Sequence, residues 1–301
     1  MKNIIKMKTL KNSNNAVVGI VASFLIIGLI VAVLSVIQTQ YVPKWMEEKE
    51  AEHMSDIADQ FAELNYAITT HLKNQISGIP ILTKITLGSK EMPYLMSNRA
   101  FGHLIITPNN LLINVSGNSF YNETFGTIKY NSINNYYLDQ SYIYEGSGVI
   151  LSQRSGSVMY LKQNFDVLLQ DNITITLNLV NITTINNKNN SMAGYGPTSI
   201  QTEYVKDSYN EKPAIDNVKY INITTDYTQG WYSYLNSTLR KNGLNDPKFY
   251  ENDYKGDYEI LIKGDTVVLH FLEKSPFSVD IKINYIEIEA QIAQGVFESR
   301  G

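Results

Sequence analysis

Residues 16–37 read AVVGIVASFLIIGLIVAVLSVI, an apolar run with no charged side chain. A helix needs about twenty apolar residues to cover a bilayer core of roughly 30 Å, and this run meets that length without help from its flanks. A cleaved secretory signal carries a shorter apolar region of about 7 to 15 residues, followed by small residues. Here Gln38, Thr39, Gln40 and Tyr41 follow instead. The run is therefore expected to remain as a transmembrane helix over residues 16–38, with the lipid bilayer as its partner. Lys2, Lys6, Lys8 and Lys11 precede it, while Lys44 and Lys49 on the far side are mixed with Glu47, Glu48, Glu50 and Glu52. Lysine and arginine near a span tend to stay cytoplasmic. This places residues 1–15 in the cytoplasm, unless they are a leader, and the mass beyond residue 42 outside a single-pass cell membrane protein.

The apolar spacing then changes. Trp45, Met46, Met54, Ile57, Ala58, Phe61, Leu64, Ile68, Leu72 and Ile76 recur mostly at steps of three and four, which is one helix face. Pro43 marks a kink or the first turn of a second helix. Glutamates near the start, His71 and Lys73 near the end, and a stop at Gly78 and Pro80 complete an amphipathic stem helix over 39–78.

Beyond Gly78 the period becomes two. Strands are expected at 81–87, 103–107, 111–115, 126–130, 140–144, 149–153, 167–182, 199–205, 218–224, 259–263, 266–271 and 277–290. Many short strands separated by turns argue for antiparallel sheets packed as a sandwich. In the last strand Phe277, Val279, Ile281, Ile283 and Tyr285 share a face, and then the parity flips to Ile286, Ile288, Ala290 and Ile292, as a β-bulge or a strand changing sheets would require. One helix interrupts the series: Trp231, Tyr234, Leu235 and Leu239 repeat at helical spacing between Thr228 as N-cap and Gly243 as stop. The 181–197 segment, rich in asparagine, reads as a surface loop. The fold class is α+β: a long N-terminal transmembrane and stem helix, then an antiparallel β-sandwich-like extracellular domain over 79–301 with one packed helix.

The chain has no cysteine, which removes disulfides and thiolate chemistry. A net charge of −4 offers no basic face, so no nucleic-acid partner is expected. His53 and His71 lie eighteen residues apart where a zinc helix wants four, and His103 and His270 add no motif. Glu145, Gly146, Ser147 and Gly148 suit a phosphate turn, but no helix or lysine completes one, and a hairpin explains them better. Asn242, Asn245, Asp246, Glu251, Asn252, Asp253 and Asp257 gather oxygen donors without the spacing of a calcium loop. No nucleophile, acid pair or metal set can be named, so the expectation is a protein that is not an enzyme and carries no cofactor.

The glycosylation acceptor pattern occurs at Asn114, Asn122, Asn172, Asn181, Asn189, Asn222 and Asn236, all in the part expected outside. In so asparagine-rich a chain the excess over chance is mild.

The N-terminus, basic residues and a short polar tract before AVVGIVASFLIIGLIVAVLSVIQTQYVP, resembles that of archaeal type IV pilin-like proteins, in which a Val/Ile-Gly pair opens the hydrophobic segment; Val18 and Gly19 match that pair. WMEEKEAEHMSDIADQFAELNYAIT, YLDQSYIYEGSGVILSQRSGSVM and FSVDIKINYIEIEAQI look like a group of archaeal surface proteins with this N-terminus. The resemblance implies a processing cut near Ser13 and Asn14, a helix serving as anchor or filament core, and a β-rich domain displayed outward. It lacks the glutamate that many bacterial pilins carry just inside the segment.

Two function classes follow. One is a pilin-like, membrane-anchored cell-surface structural protein, a filament subunit or minor pilin that self-associates through the N-terminal helix, where Gly19, Ala22, Ser23 and Gly28 would let neighbouring backbones approach. The other is a monomeric single-pass ectodomain that binds a ligand or cell-surface polymer.

Overall fold

The computed structural model describes residues 13–90, 99–162, 165–246, 256–273, 275 and 277–293. Helix α1 runs Ser13–Val36, a π-helical turn spans Ile37–Tyr41, and α2 runs Val42–Asn74. Together they form one helical rod. Pro43 falls in the first turn of α2 and has no N–H to offer the carbonyl of Thr39. The wide turn absorbs that mismatch without breaking the rod. Because α2 continues directly from α1, it has no free N-terminus, so the glutamates at 47–52 do not serve a helix dipole as the sequence suggested. The C-terminus comes earlier than Gly78: Gln75 takes a left-handed conformation (φ 52°) and its N–H returns to the His71 carbonyl.

Among the described residues fifteen strands follow. β1 (Ile81–Thr86), β10 (Pro197–Tyr204), β15 (Val279–Ala293), β8 (Ile173–Thr183) and β7 (Phe165–Leu169) form one sheet in that order, with β11 (Asn210–Glu211) also on β15. The second sheet runs β13 (Tyr258–Lys263), β14 (Thr266–Phe271), β12 (Tyr220–Thr224), β2 (Phe101–Ser116), β3 (Phe120–Ile133), β4 (Gln140–Glu145), β5 (Gly148–Gln153) and β6 (Gly156–Leu161), with β9 (Asn190–Gly194) also on β2. Pairing is antiparallel except between β8 and β15. The protein is thus α+β, with a long apolar N-terminal helix and a β domain of two curled, mostly antiparallel sheets.

Several boundaries differ from the sequence reading. The two strands expected at 103–107 and 111–115 are one strand, β2, with a register shift between Thr107 and Leu111 where Asn109 turns left-handed. The single strand expected over 167–182 is two, because Gln170 to Asn172 close a tight turn. The expected 181–197 loop contains β9, which pairs with β2 through Gly102 to Ile106.

The parity flip in β15 has another origin than a bulge or a sheet switch. Its register with β8 is uninterrupted from Val279↔Ile173 to Glu289↔Thr183, and β8 flips at the same level, between Leu179 and Val180. The pair is a wall between two cores. One face presents Ile173, Ile175, Leu177, Ile281 and Ile283 to a core shared with Trp231, Leu235 and Leu239 of α3 (Thr228–Lys241). Further along, the other face presents Val180, Ile182, Ile286, Ile288 and Ile292 to a core shared with Met54, Ile57, Phe61, Leu64 and Ile68 of α2. A parallel pair covered on both faces reads as a run of Ile, Leu and Val, as these do. The aromatic stripe of α3 is core, as its spacing suggested. β3 spans both cores too, and Gly126 marks the crossing: a Cβ there would collide with the carbonyl of Ile182. The Gly126 N–H donates to Asn181 Oδ1 at 3.0 Å.

Candidate functional site: the apolar helix and its junction with the β domain

From Val17 to Val36 every side chain of α1 is exposed, Phe24 and Leu25 each at 70%. At about 1.5 Å per residue its 24 residues span roughly 36 Å, enough to cross a bilayer core. The hydroxyls in the run are already satisfied: Ser23 Oγ donates to the Gly19 carbonyl at 2.8 Å and Ser35 Oγ to that of Val31 at 2.8 Å. Thr39 at the end of the run does the same to Ser35, at 2.7 Å. A helix in hydrocarbon needs every polar group paired within itself, and these bonds meet that demand.

The residues singled out for helix packing do not share one face. Gly19, Ala22 and Ser23 fall together at spacings of three and four, whereas Gly28, nine residues past Gly19, lies half a turn away at about 100° per residue. Nothing lies within 4 Å of where a Cβ on Gly19 or Gly28 would sit. Two small-residue patches on opposite sides suit a helix with neighbours on more than one side. Ser13 and Asn14, the expected processing region, form the first turn of α1.

Where the rod leaves the apolar stretch, Tyr41 and Trp45 stand one turn apart with ring centroids 6.0 Å apart, both exposed. Such rings favour the headgroup level of a membrane. Their i, i+4 spacing is readable from the sequence, where Trp45 belongs to the stem stripe.

Beyond this point α2 is held by the β domain. Glu50 is fully buried and accepts three backbone N–H bonds from the β3–β4 loop: Asn135 to Oε1 at 2.9 Å, and Tyr136 and Tyr137 to Oε2 at 2.7 Å each. Three charge-assisted bonds satisfy this carboxylate without a cation. His53 Nε2 lies 2.9 Å from the Tyr130 hydroxyl, which itself donates to the Leu87 carbonyl at 2.7 Å. The tyrosine proton is therefore used, and His53 is the donor to it. His71 Nε2 donates to the Thr202 carbonyl at 3.0 Å. Burial lowers the pKa of both imidazoles. The apolar helix is thereby continuous with a segment pinned by three buried polar side chains.

The glycosylation acceptors scatter over the β domain. Asn114, Asn122 and Asn222 form one row across β12, β2 and β3. Asn122, Asn172 and Asn189 are exposed; Asn114, Asn181, Asn222 and Asn236 are half-buried. The Asn181 and Asn236 amide oxygens already accept from Gly126 N–H and from the Tyr258 hydroxyl at 2.6 Å. In four motifs the middle residue is a core side chain, Val115, Ile173, Ile182 or Ile223. Alternation with polar residues outward and apolar residues inward generates N-x-S/T in strands of this composition.

The oxygen-rich segment near residue 250 is used structurally where it can be seen. Asp257 accepts from Asn245 N–H at 2.8 Å and from Ser275 Oγ at 3.0 Å, while Glu251, Asn252 and Asp253 lie outside the described residues. Glu145 to Gly148 form the β4–β5 hairpin turn. Among the described residues no group of three or more histidine and carboxylate side chains is placed to hold a metal ion. No family model matches this chain, and neither a curated protein nor a solved structure does.

Proposed function

We propose that this is a pilin-like, membrane-anchored cell-surface structural protein, a filament subunit or minor pilin, with residues 1–15 cytoplasmic or removed and the β domain outward. The observation that carries the reading is the single rod from α1 through α2, bare and apolar in its first half and built into a core in its second. A simple anchor needs only a span and a tether. Here the span is rigidly continuous with the fold, so packing of neighbouring α1 helices would fix how the domains are displayed. The lysines before the span support the orientation, and the Tyr41–Trp45 pair after it supports a membrane boundary there. The resemblance of the Val18-Gly19 context to archaeal type IV pilin-like N-termini supports self-association over a solitary anchor. Two small-residue patches on opposite sides of α1 support contact with more than one neighbour. The β domain, read as a sandwich-like pair of sheets, is then the displayed surface.

N-terminal sequencing of the mature protein from its native membrane tests this. A start beside Ser13 or Asn14 agrees with pilin processing; a start at Met1 counts against it and favours a single-pass ectodomain.

A further inference from the structure

A cleft of about 310 Å³ lies between the C-terminal half of α2 and the β domain. Its floor is apolar, made by Ile68 and Leu72 of α2 and Val180 of β8. Its helix wall is the stripe Asn65, Thr69 and Lys73, one turn apart, and Lys162 faces them from beyond β6. No carboxylate is among the lining residues described. Neither lysine has an ion-pair partner among the described residues.

Two further features concern the chemistry of the back wall. Tyr144 is only 1% exposed, yet among the described residues its hydroxyl has no hydrogen-bond partner. It lines the cleft, where a group that enters can hydrogen-bond to it. Ser147 beside it sits at φ 116°, a conformation costly for any residue but glycine, and its Oγ is tied to the Asn178 carbonyl at 2.8 Å. Strain of this kind gathers where a wall must present particular groups.

We infer that this cleft binds a small sugar acid: the carboxylate between Lys73 and Lys162, a C–H face of the ring on the apolar floor, and hydroxyls at Tyr144, Asn65 and Thr69. The volume is at the low end of the roughly 300 to 1,000 Å³ that ligand clefts occupy, which fits one monosaccharide unit. A bilayer headgroup is out of reach, because Asn65 lies roughly 40 Å along the rod beyond Val36. The ligand is therefore a soluble sugar acid or the acidic unit of a surface polymer. This inference does not depend on filament formation.

The test is calorimetric titration of the full chain in detergent micelles with glucuronate, glucose and inorganic phosphate. Saturable binding of glucuronate is expected, with glucose and phosphate each at least about tenfold weaker. The Lys73→Gln, Lys162→Gln double variant, altered only at exposed side chains, should lose at least about tenfold in glucuronate affinity at an unchanged melting midpoint. Tyr144→Phe should lose about threefold. Absence of saturable glucuronate binding, equal binding of glucose, or full affinity in the double variant overturns the proposal. Phosphate binding as tight as glucuronate overturns the sugar assignment, leaving a plain anion site.

Discussion

The indole Nε1 of Trp231 donates to Glu145 Oε1 at 2.6 Å, with both side chains sealed from solvent. Thr225 Oγ1 donates to the same oxygen at 2.8 Å, and among the described residues Oε2 has no partner. Burial outweighs the two hydrogen bonds and, helped by the nearby Asp226, raises the Glu145 pKa from 4.5 to about 7. The folded state then holds a proton that the unfolded chain releases near pH 4.5. Between about pH 4.5 and 7 the native state binds more protons, so this group's contribution falls as pH rises and is gone above about 7. The difference is on the order of 3 kcal/mol. His53 and His71 act oppositely, since their lowered pKa values make stability fall on acidification below about 6.5. Glu145→Gln keeps an acceptor for Trp231 and Thr225. Its denaturation midpoint measured against pH should lose the Glu145 slope and retain the histidine slope; an unchanged profile would show that Glu145 does not titrate in this window.

Glu50→Ala removes the acceptor for three backbone N–H groups of the β3–β4 loop. Each buried group left unpaired costs about 1 to 3 kcal/mol, partly offset by water reaching the loop. A loss of about 3 kcal/mol or more is expected in chemical denaturation, together with faster proteolysis within residues 134–139. Wild-type proteolysis in the variant would mean that the loop holds itself without α2.

The two halves of the rod should respond differently to truncation. From Val17 to Val36 the side chains of α1 are all exposed, so a chain starting at residue 37 should be soluble and melt close to the full-length protein. Removal of residues 1–64 also deletes Met54, Ile57, Phe61 and Leu64, each at most 2% exposed. Losing one such side chain costs about 2 to 5 kcal/mol, so four together, roughly 8 to 20 kcal/mol, are comparable to the whole 5 to 15 kcal/mol typical of a domain. Circular dichroism with thermal melting distinguishes the outcomes; cooperative folding of the shorter chain would show that α2 is dispensable to the core.

Glycopeptide mass spectrometry of protein from its native membrane should find any glycan on the exposed Asn122, Asn172 or Asn189. Asn181 and Asn236 are half-buried and have their amide oxygens committed. Occupancy at either would show that the modifying enzyme meets a different conformation.

The apolar run, the α2 stripe, the α3 stripe and most strands were legible because each depends on local periodicity. What the sequence hid depends on partners distant in the chain. His53 and His71 are eighteen residues apart, which is five turns at 3.6 residues each, so they share a face; measured against a zinc spacing they looked idle, and only the sheet supplies Tyr130 and Thr202. Glu50 looked like its neighbours Glu47, Glu48 and Glu52 until the β3–β4 loop folded over it. The parity flip in β15 was visible, but its cause was not, because the matching flip in β8 becomes relevant only when the two strands pair. The cleft beside Tyr144 combines residues from four separate segments and leaves no pattern in any of them.

In the proposed function α1 packs against α1 of neighbouring chains in a filament, and shear fractionation of cells making the protein is the experiment that decides it. Shear is expected to release the chain, with α1 attached, in high-molecular-mass filaments. Recovery of the whole population in the membrane pellet, under shear that strips other filaments from the same cells, would contradict it.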